Sequence, residues 1–182
     1  MLEIAYAEVE TPMGMIGVMA DPYVVRRIYF VQSSADLKRS LVHDCPGWQN
    51  LHQNDLTNQS VAQLNEFFSA QRSVFTLPLS TESFSWFARR VYSALANVPY
   101  GQVITYGALA RLAGSPGAAR AVGTIMAKNP FPVVVPCHRV VRGNGQLGNY
   151  SGGFGAVTKQ HLIELESRHA SRFAGDSAGY SA

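Results

Sequence analysis

Cysteine is scarce in this 182-residue chain: there are two, Cys45 and Cys137. Two are too few for a disulfide framework, and neither sits in a Cys-x-x-Cys pair. A structural zinc site needs about four ligands at suitable spacing, and His43, Cys45 and His52 do not provide it. No apolar stretch approaches the roughly 20 residues of a membrane span. The N-terminal Met-Leu-Glu-Ile-Ala-Tyr-Ala-Glu has early acidic residues and lacks the basic start and apolar run of a signal peptide. Charged residues make up only 15% of the chain, and hydrophobic residues make up 47%, enough for a core. The expectation is an ordinary globular protein with no membrane partner, cytoplasmic or, in a eukaryote, nuclear.

The length suits one large domain or two small ones. Net charge is +3 but unevenly spread: residues 1–80 carry −3 and residues 81–182 carry +6. An acidic half joined to a basic half points to a polyanion facing the second. A solvated basic surface would look the same, so the charge alone decides nothing. The chain divides into 1–80, 81–170 and a Ser-, Gly- and Ala-rich tail, 171–182, expected to be disordered.

In the first part, Ile4 to Val9, Met15 to Ala20 and Val24 to Val31 read as strands. Thr11-Pro-Met-Gly14 and Asp21-Pro22 mark the turns between them. Leu37 and Leu41 permit a helix over 35–43. Val61, Leu64, Phe67 and Phe68 recur at helical spacing and predict one over about 59–70. Residues 71–82 read as a connection.

The second part begins with a helical stripe, Phe84, Phe87, Val91 and Leu95, ending near Asn97. After the turn Pro99-Tyr-Gly101, Val103-Ile104 is extended. Leu109 and Leu112 mark a short helix closed by Gly114. Ser115 reads as an N-cap with Pro116 at the first helical position, opening a helix that runs to Asn129. Two helices meeting at 114–115 have the form of a helix-turn-helix. By shape alone such a pair is more often plain packing than a DNA reader. Gly117, Ala118 and Ala119 leave the second helix smooth at its start, with Arg120 projecting from it. Arg120 is either a solvated charge or a side chain placed for insertion into DNA.

Val133 to Val135 reads as a buried strand-like segment ending at Pro136. Cys137 follows, with His138 beside it. A thiolate is the reactive form of cysteine and needs a base or a positive field to be populated. Strand neighbours point to opposite faces, so a water would have to bridge the two. A Cys-His dipeptide alone is a weak signal. Arg142 to Gln146 forms a turn, Gly148 to Gly153 a loop, and Val157, His161, Leu162 and Leu165 a last helix ending near Arg168.

The string Asn129-Pro-Phe-Pro-Val-Val-Val-Pro-Cys-His-Arg-Val-Val141, followed by Gly148-Asn-Tyr-Ser-Gly-Gly153, resembles the active-site signature of the O6-alkylguanine-DNA alkyltransferases. Gly101-Gln-Val-Ile-Thr-Tyr-Gly107 and Pro116-Gly-Ala-Ala-Arg-Ala-Val-Gly123 match the same family. Four separated motifs agree in order and spacing over 84–168; over 1–80 the likeness is loose. The resemblance implies an α/β N-terminal domain with a small ribonuclease-H-like sheet, and a mainly α C-terminal domain with a winged-helix-like helix-turn-helix.

It further implies a monomeric suicide enzyme that binds double-stranded DNA containing O6-alkylguanine, possessing neither cofactor nor metal. O4-alkylthymine is a second candidate lesion. The target nucleotide is flipped out, and the alkyl group moves irreversibly to Cys137. His138 is implied as base, Glu166 as the carboxylate orienting it, Asn129 as the brace of the turn and Tyr106 as a donor to the guanine. Ser151, Tyr150 and Val140 are implied in guanine binding, and Arg120, Ala119 and Gly123 in DNA binding. The segment between Gly153 and Lys159 is about two residues longer than the family spacing, which leaves Glu164 as an alternative to Glu166. The rival readings are a lesion-binding relative that transfers nothing, in which another residue stands at the position of Cys137, and a helix-turn-helix regulator. A cysteine hydrolase is more distant, because no oxyanion motif is recognisable.

Overall fold

The computed structural model describes residues 3–174. Strands β1 (Ala5–Thr11), β2 (Gly14–Ala20) and β3 (Val25–Val31) form an antiparallel meander in the order β1-β2-β3. The alternation of side chains sorts the sheet into two faces. Ile16, Val18, Ile28 and Phe30 enter the main core, whereas Tyr6, Met19 and Tyr29 form a separate cluster. Helix α1 (Ser34–Asp44) covers the second face with Leu37 and Leu41. Helix α2 (Asp55–Phe68) covers the first with Leu56, Leu64 and Phe67. It begins four residues earlier than the apolar spacing indicates. Asn54 caps it, and Thr57 returns a bond to the backbone of Asn54. The capping box sets this start, before the first apolar repeat.

The 71–82 connection is structured. Thr76 is held by both ends of the Gln63 amide, and Leu79 bridges in parallel to Val25. Phe75, Leu77 and Leu79 are buried, so the main core runs unbroken from the sheet into the C-terminal part.

Helices α3 (Trp86–Ala96), α4 (Tyr106–Leu112) and α5 (Ala119–Ala127) pack on one another. Ser85 caps α3, and Thr105 caps α4. The start of α5 differs from the sequence reading. Ser115 and Pro116 do not open it; Ser115 instead accepts from Ala118 N–H in a turn, and the helix begins at Ala119 without a side-chain cap. Gly117 sits at φ +86°, which is incompatible with a helical turn. The helix-turn-helix remains, with a wider turn.

Strand β4 (Ile104–Thr105) pairs in parallel with β5 (Val140–Val141). Helix α6 (Ala156–His169) closes the fold. The tail reading is corrected at its start: Ala170–Phe173 form a 3-10 turn, and the Phe173 ring lies 5.1 Å from that of Tyr100. An aromatic partner in the core outweighs the small polar residues around it. Residues 175–182 of the expected tail lie outside the described residues.

Phe173→Ala should lower the unfolding free energy by about 1–2 kcal/mol, the scale of an aromatic pair plus part of its burial. A denaturant titration measures this, and an unchanged midpoint would show the contact to be idle.

Candidate active site

The turn that carries Cys137 is made by side-chain bonds and prolines. Asn129 Nδ2 donates to the carbonyl of Val135 at 2.9 Å, and its Oδ1 accepts from Phe131 N–H at 3.0 Å. Within this brace Val133 takes φ +73°, a left-handed conformation costly for a β-branched residue. The three valines therefore form a buried tight turn, in place of the strand their composition suggests. Prolines at 130, 132 and 136 supply no N–H for a ladder. Cys137, His138 and Arg139 follow as one 3-10 turn, which also replaces the strand geometry expected for the Cys-His pair.

Asn129 Nδ2 also lies 3.1 Å from Cys137 Sγ. Cys137 is 5% exposed. Burial pushes its thiol pKa up, against the opposing pull of the Asn129 amide, the Lys159 ammonium and nearby backbone N–H groups. The resting sulfur is thus a neutral thiol that needs a base.

The adjacent base is fully buried. His138 Nε2 lies 2.7 Å from Glu166 Oε1. Glu166 is itself saturated: Arg139 donates to both its oxygens at 2.8 and 2.9 Å, and Gly101 N–H donates to Oε2 at 3.0 Å. Arg139 also donates to the Val98 carbonyl. Burial pushes the Glu166 carboxyl up, but His138 and Arg139 together outweigh it and hold the pKa at about 2. Burial lowers the pKa of His138 and prevails over the raising effect of Glu166. A neutral imidazole next to a carboxylate places its proton on Nε2 and leaves Nδ1 with a lone pair. Nδ1 is buried without a protein partner among the described residues. Glu164, the alternative, is on the surface with Gln160 and Arg168.

The β4–β5 pairing sets Thr105 beside Val141, at the start of α4, and so brings Tyr106 to the thiol's side of the fold. A Cβ on Gly148 would lie 3.0 Å from the Tyr106 hydroxyl, so that hydroxyl abuts the 148–153 loop. Burial and the nearby Cys137 raise the Tyr106 pKa, keeping it an O–H donor. A cavity of about 650 Å³ opens here, lined by Tyr106, Ala119, Arg120, Gly123 and Gly148. Among the described residues, the charged ones that line it are Arg111, Arg120 and Arg142. Cys137, His138 and Val140 are buried and do not line it. Ser151 is exposed and borders a different groove, beside β3. The Tyr150 hydroxyl is buried without a protein partner among the described residues.

Two residues were assigned no role from the sequence. Arg139, within the quoted motif, supplies the permanent charge that satisfies Glu166. Lys159 is fully buried and donates to the Val140 carbonyl at 2.6 Å; burial brings its pKa down to about 8. The available signal was helical phase, since Lys159, Leu162 and Glu166 share one face of α6.

Residues 4–81 match the model of the 6-O-methylguanine DNA methyltransferase ribonuclease-like domain. Residues 86–168 match that of the DNA binding domain of the same proteins. The methylated-DNA–protein-cysteine methyltransferase of Mycolicibacterium paratuberculosis is 35% identical over 92% of this chain and 94% of its own. The chain belongs to the 6-O-methylguanine DNA methyltransferase family. The constitutive methyltransferase of Bacillus subtilis is 34% identical, over 88% of this chain and 94% of the relative. The structure of Mycobacterium tuberculosis OGT in complex with DNA superposes with a TM-score of 0.73 at 30% identity, covering 91% of this chain and 94% of that one. Family membership extends to the N-terminal part, where the sequence likeness was loose. Among the described residues no helix is long and apolar enough to cross a membrane.

His138 and Glu166 both bind fewer protons folded than unfolded, so stability rises with pH where the unfolded chain still holds those protons. The His138 contribution is complete above an unfolded value of about 6.5 and declines as pH falls below it. The Glu166 contribution is complete above about 4.5 and is lost as pH falls towards about 2. Unfolding free energy against pH should therefore fall in two stages on acidification. Asp21 adds to the lower stage, since backbone N–H groups and Arg26 outweigh its burial and hold its carboxyl below the usual range. In Glu166→Gln the lower stage should shrink; a variant that keeps it in full would assign it to Asp21 and the remaining carboxylates.

Proposed function

We propose that the protein repairs DNA by direct reversal, accepting the alkyl group of O6-alkylguanine on Cys137 in a single irreversible turnover. The observation that carries this reading is a buried thiol braced by Asn129 and followed, in the same 3-10 turn, by an imidazole oriented by a carboxylate, close to Tyr106 at the edge of an arginine-lined cavity. Two of the arginines at that cavity, Arg111 and Arg142, take the phosphates, a sequence-independent contact. The small surface of Ala119 and Gly123 admits the groove, and Arg120 fills the stack vacated by the flipped nucleotide.

The base enters beside Tyr106 and the 148–153 loop, where backbone groups hold its O6 edge and Tyr150 and Val140 complete the pocket; Ser151, which borders the groove beside β3, reaches that edge only when the loop shifts towards the base. A water bridging His138 Nδ1 and Cys137 carries the thiol proton to the imidazole, and Glu166 stabilises the imidazolium. The sulfur forms a bond to the alkyl carbon as the bond from that carbon to O6 breaks. The electron pair goes to the guanine, whose growing charge is met by the Tyr106 hydroxyl at N3. Asn129 keeps the turn rigid throughout. The result is a thioether, a poor leaving group. The other cysteine, Cys45, packs with the separate cluster on the α1 face. The protein acts as a monomer in the compartment that holds the DNA, the cytoplasm of a prokaryote or the nucleus of a eukaryote. A lesion-binding relative without transfer is disfavoured by the presence of Cys137 itself.

Intact-mass measurement after mixing with an O6-methylguanine duplex should show one methyl group per protein, mapped to Cys137 and absent from Cys45. Cys137→Ser should abolish transfer and keep DNA binding; repeated turnover by one molecule would exclude this function. Arg120→Ala should slow repair of duplex DNA at least about tenfold, an effect of about 1.4 kcal/mol. The same variant should leave the reaction with free O6-benzylguanine near the parent rate. Equal losses on both substrates would place Arg120 in the fold or the chemistry.

A further inference from the structure

The free edge of the N-terminal sheet ends on both halves of the active site. In the order β1-β2-β3 the outer edge of β3 has no strand partner of full length among the described residues. An open edge presents unpaired N–H and C=O groups, which proteins cover or block. At its start this edge is covered by the connection: Val25 N–H donates to the Pro78 carbonyl at 2.8 Å and Ser80 N–H to the Val25 carbonyl at 2.9 Å. Farther along, Ile28 N–H donates to the Pro130 carbonyl at 2.9 Å, and Gly153 N–H donates to the Phe30 carbonyl at 2.9 Å.

These last two bonds reach different functional segments. Pro130 is flanked by Asn129 and Phe131, the residues whose mutual bond begins the brace of the Cys137 turn. Gly153 ends the loop that carries Tyr150 and Ser151. The Phe30 side chain also lies under that loop, since a Cβ on Gly152 would approach it to 3.2 Å. Ile28 and Phe30 are two residues apart and therefore face the same edge, about 7 Å from each other along the strand. Pairing of Ile16 with Phe30 and of Val18 with Ile28 fixes that register within the sheet.

We infer that the outer edge of β3 is a positioning element for the transfer reaction, its Ile28 N–H and Phe30 carbonyl holding the thiol's turn and the guanine-binding loop at a fixed separation. The N-terminal domain then sets the reacting distance although it supplies no group that touches the reacting atoms. Backbone bonds suit this task, because a strand in a meander cannot shift without breaking its pairing with β2. The inference rests on the proposed roles of Cys137 and of the 148–153 loop.

Backbone esters test it, since they remove one N–H and keep every side chain. Three full-length proteins would carry the α-hydroxy acid in place of the residue at Ile28, at Gly153 or at Ser80. Ser80 is the control: its bond covers the same strand but holds no active-site segment. Each would be followed by thermal melting, by the rate of alkyl transfer from O6-benzylguanine over a concentration series, and by alkylation of Cys137 with iodoacetamide across pH.

The Ile28 ester should slow transfer at saturation by about tenfold or more, the scale of a small misplacement of reacting groups. It should also displace the pH profile of iodoacetamide alkylation. The Gly153 ester should raise the half-saturating concentration of O6-benzylguanine several-fold and leave iodoacetamide alkylation unchanged. The Ser80 ester should leave both reactions at the parent rate. Losses in all three that follow their melting temperatures, or parent rates in the Ile28 and Gly153 esters, would overturn the inference. A parent protein that takes up no alkyl group would instead overturn the proposed function.

Discussion

A carboxylate excluded from water must be neutralised, and in this protein the way Glu166 is neutralised sets the state of everything around it. Arg139 grips both its oxygens and carries a charge that does not titrate. With that pair closed, His138 can donate its Nε2 proton to the same carboxylate without being ionised. Were Arg139 missing, the buried carboxylate would draw a proton onto the imidazole, and Nδ1 would cease to be a base. The same group of bonds ties α6 to the turn after α3, through Gly101 N–H and the Val98 carbonyl. One ionic centre thus holds the acid–base state and the packing of the C-terminal part together.

The site divides into a proton side and a guanine side with different physics. On the proton side burial dominates, keeping thiol and imidazole both uncharged until substrate arrives. On the guanine side the groups are hydroxyls and backbone donors on a loop, beside a cavity bordered by arginines. Separating charge from S–H to imidazole is costly in a dry site, so the step is favoured only when a leaving group can take up the electrons. This coupling protects a reactive cysteine from idle chemistry. A free thiolate in the same position would react with passing electrophiles and exhaust a protein that acts once.

The motifs made much of this legible, and the failures have identifiable causes. The register of Lys159 and Leu162 on α6 favours Glu166 over Glu164 in spite of the longer loop before it, and the structure places Glu166 with those two residues on the buried face. Val133 to Val135 looked like a strand because β-branched residues favour extended backbone; three prolines and the Asn129 amide override that preference. Ser115-Pro116 carried a sound local capping signal, and Gly117 displaced the helix start by its left-handed backbone. The β4–β5 pairing that brings Tyr106 to the site is two residues long on each side and has no periodicity to detect. The tail was judged by composition, and a single aromatic residue, Phe173, was enough to dock its first turn. Arg139 lay in plain view within the motif, but its role needs the third dimension, where it meets a residue 27 positions away.

The same burial that restrains the thiol also explains why recognition can be indifferent to sequence. A base that stays stacked cannot approach the sulfur of a cysteine only 5% exposed in a braced turn. Access therefore requires extrusion, and extrusion is easiest where pairing is already weakened, as at an alkylated guanine. Selectivity then arises from the cost of delivering the base, and the surface that meets the duplex need only be small in profile and positive. On the proposed reading the helix-turn-helix supplies that surface: Ala119 and Gly123 offer no side chain long enough to read a base edge, and its Arg111 and Arg120 border the opening together with Arg142, which follows β5. A motif often built to read operators is here reduced to a smooth, cationic entrance, which is the form a repair protein needs if every sequence is to be searched with equal affinity.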